Sequence, residues 1–203
     1  SLLKSTEPTD QLLVQDIQSL VEKLNSFGFG SVLIFLGIGV VLTLLVQSSS
    51  AAMGITIIVA INGWINFEIA AAIVLGENIG TTVTAWLASL GANLNAKRAA
   101  RAHFLFNVAG VCWMLILFFP FINMVDGVMP GSIYQNDVTR EEVQVYRDAH
   151  PSESAEMDDG KVRKAIVDVN IPLHLSLFHT LFNLCNICLL IGFAPHLGRM
   201  AEK

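Results

Sequence analysis

The chain has 203 residues, of which 53% are hydrophobic and only 14% are charged, and its formal net charge at pH 7 is −5. Soluble domains carry about 25% charged residues, so this composition argues against an ordinary soluble domain. The charges are also unevenly placed, because Glu77 is the only charged residue within the stretches 24–67, 69–96, 102–125 and 169–198. A spanning helix needs about 20 mostly apolar residues, so these stretches predict an all-α, polytopic membrane protein.

The chain divides into four segments. Residues 1–26 are polar, with aliphatic residues at roughly helical spacing, which predicts an amphipathic helix on the membrane surface or packed on the protein. Residues 27–125 form a membrane repeat, residues 126–168 an acidic extramembrane loop without regular pattern, and residues 169–203 a final transmembrane helix with a short tail. Because the chain opens on Ser1 without a signal-peptide pattern, we expect a processed product or part of a longer protein.

The membrane repeat is interrupted by polar motifs. Residues 27–46 are long enough to span, but the apolar run 51–61 is too short and stops at NGW. The runs before and after GENIGTT (76–82) are also short. This pattern predicts broken or re-entrant helices at both QSSS (47–50) and GENIGTT, followed by single spans at about 102–125 and 169–194.

Two basic clusters indicate the orientation. Lys97, Arg98 and Arg101 are separated by two crossings from Arg199 and Lys203, so both clusters are predicted on one side. The positive-inside rule makes that side cytoplasmic and the acidic loop external, which predicts a multi-pass protein of the cytoplasmic (inner) membrane. We interpret the first cluster as an anchor to the headgroups of the lipid bilayer and not as a contact to nucleic acid.

The QSSS motif has the chemistry of an anion site. Its four polar residues cannot share one helix face, because successive positions lie about 100° apart. Part of the run is therefore expected to be unwound or to ring a polar cavity. Free N–H groups, the positive end of a helix dipole and serine hydroxyls would then meet, which suits an oxyanion. The residues concerned are Gln47, Ser48, Ser49 and Ser50.

The GENIGTT motif repeats this arrangement with Asn78, Thr81 and Thr82. Amide and hydroxyl oxygens, together with carbonyls freed at a helix break, are hard ligands suited to Na⁺. Glu77 is the one charged residue at this depth. Ionised, it could ligate or balance a cation; protonated, it could bond a neighbouring hydroxyl; alternatively, it lies partly in water at a cavity mouth.

Other features give no sign of an enzyme or of a bound cofactor. The chain has no Walker-type phosphate loop, and no acidic residue lies in the spans that hold His103 and His179. These two histidines open the similar sequences HFLFN and HTLFN, each predicted at the start of a span. We expect the two imidazoles to hydrogen-bond between helices rather than to ligate a metal.

Three stretches in series resemble the sodium–phosphate cotransporter family, the type II transporters and their bacterial relatives: QSSSAAMGITIIVA, GENIGTTVTAWLASLGA and RAHFLFNVAGVCWMLILFFPF. The resemblance covers residues 28–121. It implies a transporter of two inverted repeats, each with its own QSSS, that couples inward Na⁺ flow to uptake of inorganic phosphate. Glu77 lies at a position where the residue type varies among members of this family, so the resemblance implies no role for it. The phosphate-binding and sodium-binding roles map onto Gln47, Ser48, Ser49, Ser50, Asn78, Thr81 and Thr82.

The chain contains one QSSS and one NIGTT, so it resembles the second repeat alone. The partner would be a missing first repeat or a second copy of the chain. We assign phosphate binding to residues 47–50, and sodium binding to Gln47, Ser49, Asn78, Thr81 and Thr82 with Glu77. A phosphate exporter, or a phosphate-responsive receptor without transport, would use the same dipoles and hydroxyls.

Overall fold

The computed structural model describes residues 8–201, and every regular element in that range is helical. Residues 1–7 of the predicted amphipathic segment and Lys203 of the second basic cluster lie outside the described residues. The helices are α1 (Pro8–Asn25), α2 (Phe29–Val46), α3 (Ser49–Ile61), α4 (Phe67–Ser89), α5 (Leu94–Ile116), α6 (Phe118–Val128), α7 (Arg140–Ala149), α8 (Pro151–Ser154), α9 (Asp159–Leu190) and α10 (Ala194–Ala201), with a 3-10 turn at Ile191–Phe193 before α10.

Four stretches are long and apolar enough to cross a bilayer: Phe29–Val46, Phe67–Ser89, Leu94–Ile116 and Asp159–Phe193. The prediction of an all-α, polytopic membrane protein is therefore confirmed. Helix α3 has 13 residues, which gives a length of about 20 Å against a hydrocarbon core of about 30 Å. It enters the apolar region without the length to cross it.

The predicted break at GENIGTT is wrong, because α4 runs without interruption from Phe67 to Ser89. The glycines of this motif allow α4 to pack closely against α2. A Cβ atom at Gly76 would overlap the backbone carbonyl of Leu36, and one at Gly80 would come within 2.7 Å of the Thr43 Cβ. Small residues let two membrane helices approach closely, so α4 packs along α2 at the positions where the sequence indicated a turn.

The order of these contacts gives the topology. Contacts between α2 and α4 advance along both helices, so the two run roughly parallel, with Leu36 against Gly76 and Thr43 against Gly80. Helix α3 must therefore run back between them. It ends at a turn over residues 62–66, where the Asn66 side chain caps α4 by accepting the Ile69 N–H at 2.9 Å.

The predicted span 102–125 is also wrong in its bounds. Helix α5 begins at Leu94, where the Asn93 side chain accepts the Ala96 N–H at 3.0 Å, and it ends at Ile116. Helix α6 then starts at Phe118. Proline lacks an N–H group and its ring clashes with the carbonyl four residues before it, so Pro120 prevents a continuous helix through residue 116.

Helix α9 starts ten residues before the predicted last span, capped by the Asp158 side chain on the Lys161 N–H at 2.8 Å. The 3-10 turn after it leads into α10, which packs against α5. Arg199 on α10 therefore lies at the same end of the helices as Lys97 and Arg101 on α5, as the charge pattern predicted.

The opposite end carries a folded segment between α6 and α9, although the sequence shows no regular pattern there. Helix α7 starts with a capping box in which Thr139 and Glu142 bond each other's backbone N–H groups. The Thr139 N–H and hydroxyl both donate to the Glu142 carboxylate and hold the pKa of that carboxyl below its usual range. The Arg147 side chain ties α7 to the start of α9 by donating to the Met157 carbonyl and to Asp159, at 2.9 and 2.8 Å.

The folded segment also contacts the membrane helices. Lys164 at the start of α9 donates to the Gly63 carbonyl in the α3–α4 turn at 3.4 Å and to Asp168 at 3.0 Å. Tyr134 lies near Glu68 at the start of α4. Burial and neighbouring carboxylates raise the pKa of Tyr134 to about 12. The folded segment between α6 and α9 thus contacts the end of the α3–α4 hairpin.

The core lies where α4, α5, α6 and α9 meet. Edge-to-face aromatic contacts join Phe67, Phe118 and Phe121 to Phe178, with ring centroids 5.5 to 6.4 Å apart. Such pairs contribute about 0.5–1.5 kcal/mol beyond their burial. They fix α9 against α4 and α6 on the far side of α4 from α2.

Candidate functional site

The helix break predicted at QSSS is confirmed. Gln47 adopts a left-handed backbone conformation (φ 56°, ψ 24°), and its N–H bonds the Thr43 carbonyl at 2.7 Å. Ser48 is extended, and its Oγ accepts the Ala51 N–H at 3.3 Å as the N-cap of α3. A left-handed residue at a helix C-terminus followed by a serine N-cap ends one helix and starts the next within two residues.

A cavity of about 540 Å³ opens below this break, between α3, α4, α5 and α9. Its volume falls in the range of roughly 300–1,000 Å³ that is typical of small-molecule sites. Gln47 and Ser48 are exposed at the break and are not part of the lining. The predicted site residues that line the cavity are Ser49, Ser50, Glu77, Asn78, Thr81 and Thr82.

The α3 wall of the cavity presents hydrogen-bond donors. Ser49 and Ser50 form the first turn of α3, where backbone N–H groups have no partner within the helix. In the described part of the chain, neither serine hydroxyl makes a hydrogen bond. This wall combines two unengaged hydroxyls with the positive end of a helix dipole.

The α4 wall presents acceptors. Asn78, Thr81 and Thr82 each donate a side-chain hydrogen to a backbone carbonyl of their own helix, at 2.9, 2.8 and 2.7 Å. Such bonds satisfy polar side chains without breaking the helix. The hydroxyl hydrogens of Thr81 and Thr82 are thereby used, and the oxygen atoms of all three side chains keep lone pairs that can coordinate a cation.

Glu77 lies where the two walls meet. It is 3% exposed and lines the cavity, which does not fit the alternative of a carboxyl partly in water at the mouth. The Thr56 hydroxyl donates to its Oε1 at 2.7 Å and so joins α3 to α4. Sequence reasoning missed Thr56. The signal was present, because Ser49, Met53 and Thr56 follow one another on a single helix face.

The remaining polar lining comes from α5 and α9, and sequence reasoning did not assign it to the site. His103 and Asn107 line the cavity from α5, and His179 and Asn183 line it from α9. The histidines lie within their helices and not at the start of a span. Among the described residues neither imidazole makes a hydrogen bond, so the prediction that these histidines hydrogen-bond between helices is wrong. The similarity of HFLFN and HTLFN was the signal that could have found them.

Three of the four apolar spans, α4, α5 and α9, line a polar cavity together with the start of the short helix α3, so this is a multi-pass α-helical membrane protein with a polar cavity between its helices. A family model described as Na⁺/Pi-cotransporter matches residues 5–126, which is more than half of the chain. The chain belongs to this Na⁺/Pi-cotransporter family, which is a family of transporters. The resemblance seen in the QSSS, NIGTT and HFLFN stretches is thereby confirmed.

Curated relatives are similar to parts of the chain. It is 41% identical over 90 residues to the uncharacterized protein YqeW of Bacillus subtilis, a match that covers 44% of this chain and 28% of that protein. It is 38% identical over 111 residues to sodium-dependent phosphate transport protein 2C of Rattus norvegicus, covering 51% and 18%. A third relative, the putative inorganic phosphate export protein YjbB of Salmonella typhimurium, is 31% identical over 97 residues, covering 48% and 18%.

The matched part of the chain spans less than a third of the length of these relatives. No solved structure matches the chain.

Proposed function

We propose that the cavity binds inorganic phosphate together with Na⁺, and that the chain supplies one of the two QSSS repeats of a sodium-coupled phosphate symporter in the cytoplasmic membrane. The observation that carries this proposal is the difference in chemistry between the α3 wall and the α4 wall of the cavity. Donors on α3 face a cavity whose α4 side offers oxygen acceptors and a buried carboxyl. An anion and a cation can each find suitable partners in the same space.

Phosphate is assigned to the start of α3. Ser49 and Ser50 bring hydroxyl donors, and the first turn of α3 adds backbone N–H groups and a favourable dipole. Hydrogen bonds to a charged group contribute about 1.5–3 kcal/mol each. A phosphate role for Gln47 and Ser48 stays a prediction, in which both act from the break just above the cavity.

Sodium is assigned to the oxygen atoms of Asn78, Thr81 and Thr82, with Glu77 as the charged ligand. Ser49 on the α3 wall and Gln47 at the break outside the lining are further candidates. A phosphate dianion beside an ionised Glu77 would experience like-charge repulsion in a partly desolvated cavity. A sodium ion between them removes that repulsion, so each ion favours the binding of the other. This mutual dependence is the physical basis that we propose for coupling.

The second half of the transporter would be a first repeat or a second copy of the chain in the opposite orientation. The length of the relatives and the single QSSS motif support this arrangement. Family membership and the Rattus norvegicus relative support sodium-dependent phosphate transport. The Salmonella typhimurium relative, by its name, favours phosphate export as a second candidate. A receptor would bind phosphate without flux.

The test of binding is equilibrium binding of radiolabelled phosphate to the purified chain, in sodium and in choline buffer. We expect sodium to strengthen binding and Ser49→Ala to weaken it by about 10- to 100-fold, which corresponds to one lost charged hydrogen bond. Ser19→Ala is the matched control, because the Ser19 hydroxyl bonds only the Asp16 carbonyl on α1. An unchanged affinity in Ser49→Ala would remove the serine run from the site.

The test of transport is phosphate uptake into proteoliposomes that contain the chain, with and without an inward sodium gradient. Sodium-driven uptake supports the symporter and indicates that the chain assembles with itself. Efflux from phosphate-loaded vesicles without sodium dependence would favour the exporter. Sodium-dependent phosphate binding without flux would favour the receptor, provided that flux is absent both with this chain alone and with a first repeat added.

A further inference from the structure

The two carboxylate oxygens of Glu77 have different surroundings. The Thr56 hydroxyl on α3 donates to Oε1 at 2.7 Å, and the pair is deeply buried, with Thr56 2% and Glu77 3% exposed. The other oxygen, Oε2, has no hydrogen-bond partner among the described residues and is not fully buried. Because Glu77 lines the cavity, Oε2 is the carboxylate oxygen that remains for a ligand there.

The Thr56 side chain does not itself reach the cavity. It is not part of the lining, whereas Met53, one turn earlier on the same face of α3, is. The hydroxyl hydrogen of Thr56 is used in the bond to Glu77. Any effect of Thr56 on a bound ion therefore passes through the carboxylate.

Thr56 also provides the hydrogen bond that fixes this carboxylate. Among the described residues no other side chain bonds the carboxylate of Glu77. A glutamate side chain loses much rotamer freedom when it is held in one position. A bond that holds it before an ion arrives removes part of that cost from ion binding.

A second oxygen atom lies next to Oε2 on the same helix. Thr81 follows Glu77 by four residues, and side chains at this spacing are neighbours on one helix face. The Thr81 hydroxyl donates to the backbone carbonyl of Glu77 at 2.8 Å, so its lone pairs stay available, and both residues line the cavity. A charged and a neutral oxygen from adjacent turns of one helix thus face the same space.

We propose that Thr56 is a positioning residue for sodium. By donating to Oε1, it holds the Glu77 carboxylate so that Oε2 faces the cavity beside Thr81. This inference rests on the proposed function and deepens it, because Thr56 belongs to neither QSSS nor GENIGTT. Loss of the Thr56 hydroxyl should weaken sodium binding and should affect phosphate only through sodium.

The test is sodium-dependent binding of radiolabelled phosphate to the full chain carrying Thr56→Val, which keeps the shape of threonine and removes the hydroxyl. We expect the half-saturating sodium concentration to rise about tenfold, as when a group that orients a metal ligand is removed. Phosphate affinity at saturating sodium should stay close to that of the wild type. Thr56→Ser restores a hydroxyl and should recover most of the sodium affinity.

Thr43→Val on α2 is the matched control, because Thr43 is equally buried and its hydroxyl bonds only the Gly39 carbonyl of its own helix, at 3.1 Å. This control should keep the wild-type sodium requirement. Glu77→Gln keeps an oxygen that can accept the Thr56 bond but loses the charge. It should therefore raise the sodium requirement more than Thr56→Val does.

A wild-type sodium requirement in Thr56→Val, with Glu77→Gln still impaired, would overturn this inference and leave the proposed function intact. Weaker phosphate binding at saturating sodium in both Thr56→Val and Thr56→Ser would also overturn it, because Thr56 would then act through the packing of α3. A wild-type chain whose phosphate binding does not respond to sodium would overturn both the inference and the proposed function.

If Thr56→Val does not fold, Thr56→Cys decides, because a thiol is close to a hydroxyl in size and is a much weaker donor. A folded Thr56→Cys protein with a raised sodium requirement supports positioning by the hydroxyl. A wild-type sodium requirement in this variant, or its failure to fold as well, would show that Thr56 has a structural role and would overturn the inference.

Discussion

The polar run at residues 47–50 ends helix α2 and starts helix α3, whereas the longer polar run at residues 76–82 lies within the continuous helix α4. Both contain hydroxyl and amide side chains in an apolar surrounding, so their composition does not separate them. The difference lies in where the hydrogen bonds go. In α4 the side chains bond their own helix, while in QSSS one serine caps a new helix and the next two face the cavity.

Glycines next to a polar run can keep a membrane helix continuous. Gly76 and Gly80 bring α4 against the backbone of α2, and that contact covers the helix at the point where a break was expected. The QSSS run has no glycine that would allow such an approach. The unwound motif therefore provides donors, and the helical motif provides acceptors on a rigid surface.

We expect the largest loss of stability from a substitution that tests whether α4 is continuous and packed on α2. Gly76→Ala should destabilise the protein by about 3 kcal/mol, because the added methyl overlaps the Leu36 carbonyl and cannot be accommodated without moving α2. The measurement is the shift in thermal unfolding in detergent. Gly54→Ala on α3 is the matched control, because a Cβ there meets nothing within 4 Å.

The control should be neutral or stabilising by up to about 1 kcal/mol, since alanine favours a helix over glycine. If GENIGTT were a flexible break, Gly76→Ala would behave like Gly54→Ala. That result would contradict the packed helix and restore the interpretation drawn from sequence.

A smaller loss of stability is expected when the hydrogen bond between Thr56 on α3 and Glu77 on α4 is removed. In a double-mutant cycle of Thr56→Val and Glu77→Leu, we expect a coupling energy of about 2 kcal/mol, because the pair is buried and hydrogen-bonded at 2.7 Å and each substitution removes the bond. The measurement is the free energy of unfolding of the four proteins. Thr180→Val on α9 replaces a threonine whose hydroxyl bonds only its own helix. Pairing it with Glu77→Leu should give additive effects, and additivity in the Thr56 cycle would mean that the bond does not hold α3 to α4.

The smallest effect on stability is expected at Ser48, the first of the three serines in QSSS. Ser48→Ala should destabilise the start of α3 by about 1 kcal/mol through loss of its N-cap, and Ser48→Asn should restore it. Hydrogen exchange at the Ala51 amide measures the change. Asn93→Ala, which removes the cap of α5, is the matched control.

Phosphate affinity in the same variants distinguishes a capping serine from a ligand serine. Ser48→Ala should change it much less than Ser49→Ala, since the Ser48 oxygen is engaged with the backbone. An equal loss in the two variants would assign Ser48 to the phosphate ligands as well.

The parts of the fold that follow from local chemistry were predictable. The uncharged length of residues 29–46 requires a span, and four successive polar residues require a break at QSSS. The basic residues near Arg101 and Arg199 placed two helix ends together. The site residues Ser49, Thr81 and Glu77 were predictable because polar groups in an apolar stretch need partners.

Two of the errors come from contacts between segments distant in sequence, and the third, at Pro120, has a local cause. The sequence shows GENIGTT as polar and rich in glycine, but whether the helix continues depends on the backbone of α2, about 40 residues earlier. Pro120 divides the predicted span, although a count of charges alone does not register it. His103 and His179 were expected to hydrogen-bond between helices, whereas the geometry of α5 and α9 leaves both residues lining the cavity.

Local sequence was sufficient to establish that this protein is helical and membrane-spanning, and which residues are too polar to face lipid. These properties depend on hydropathy and on backbone hydrogen bonding within each segment, which act over a few residues. Which polar residues meet depended instead on the packing of whole helices. The cavity exists because α4 packs closely on α2 through glycine, which brings Glu77 and Thr81 opposite the start of α3 and leaves α5 and α9 to close the other side.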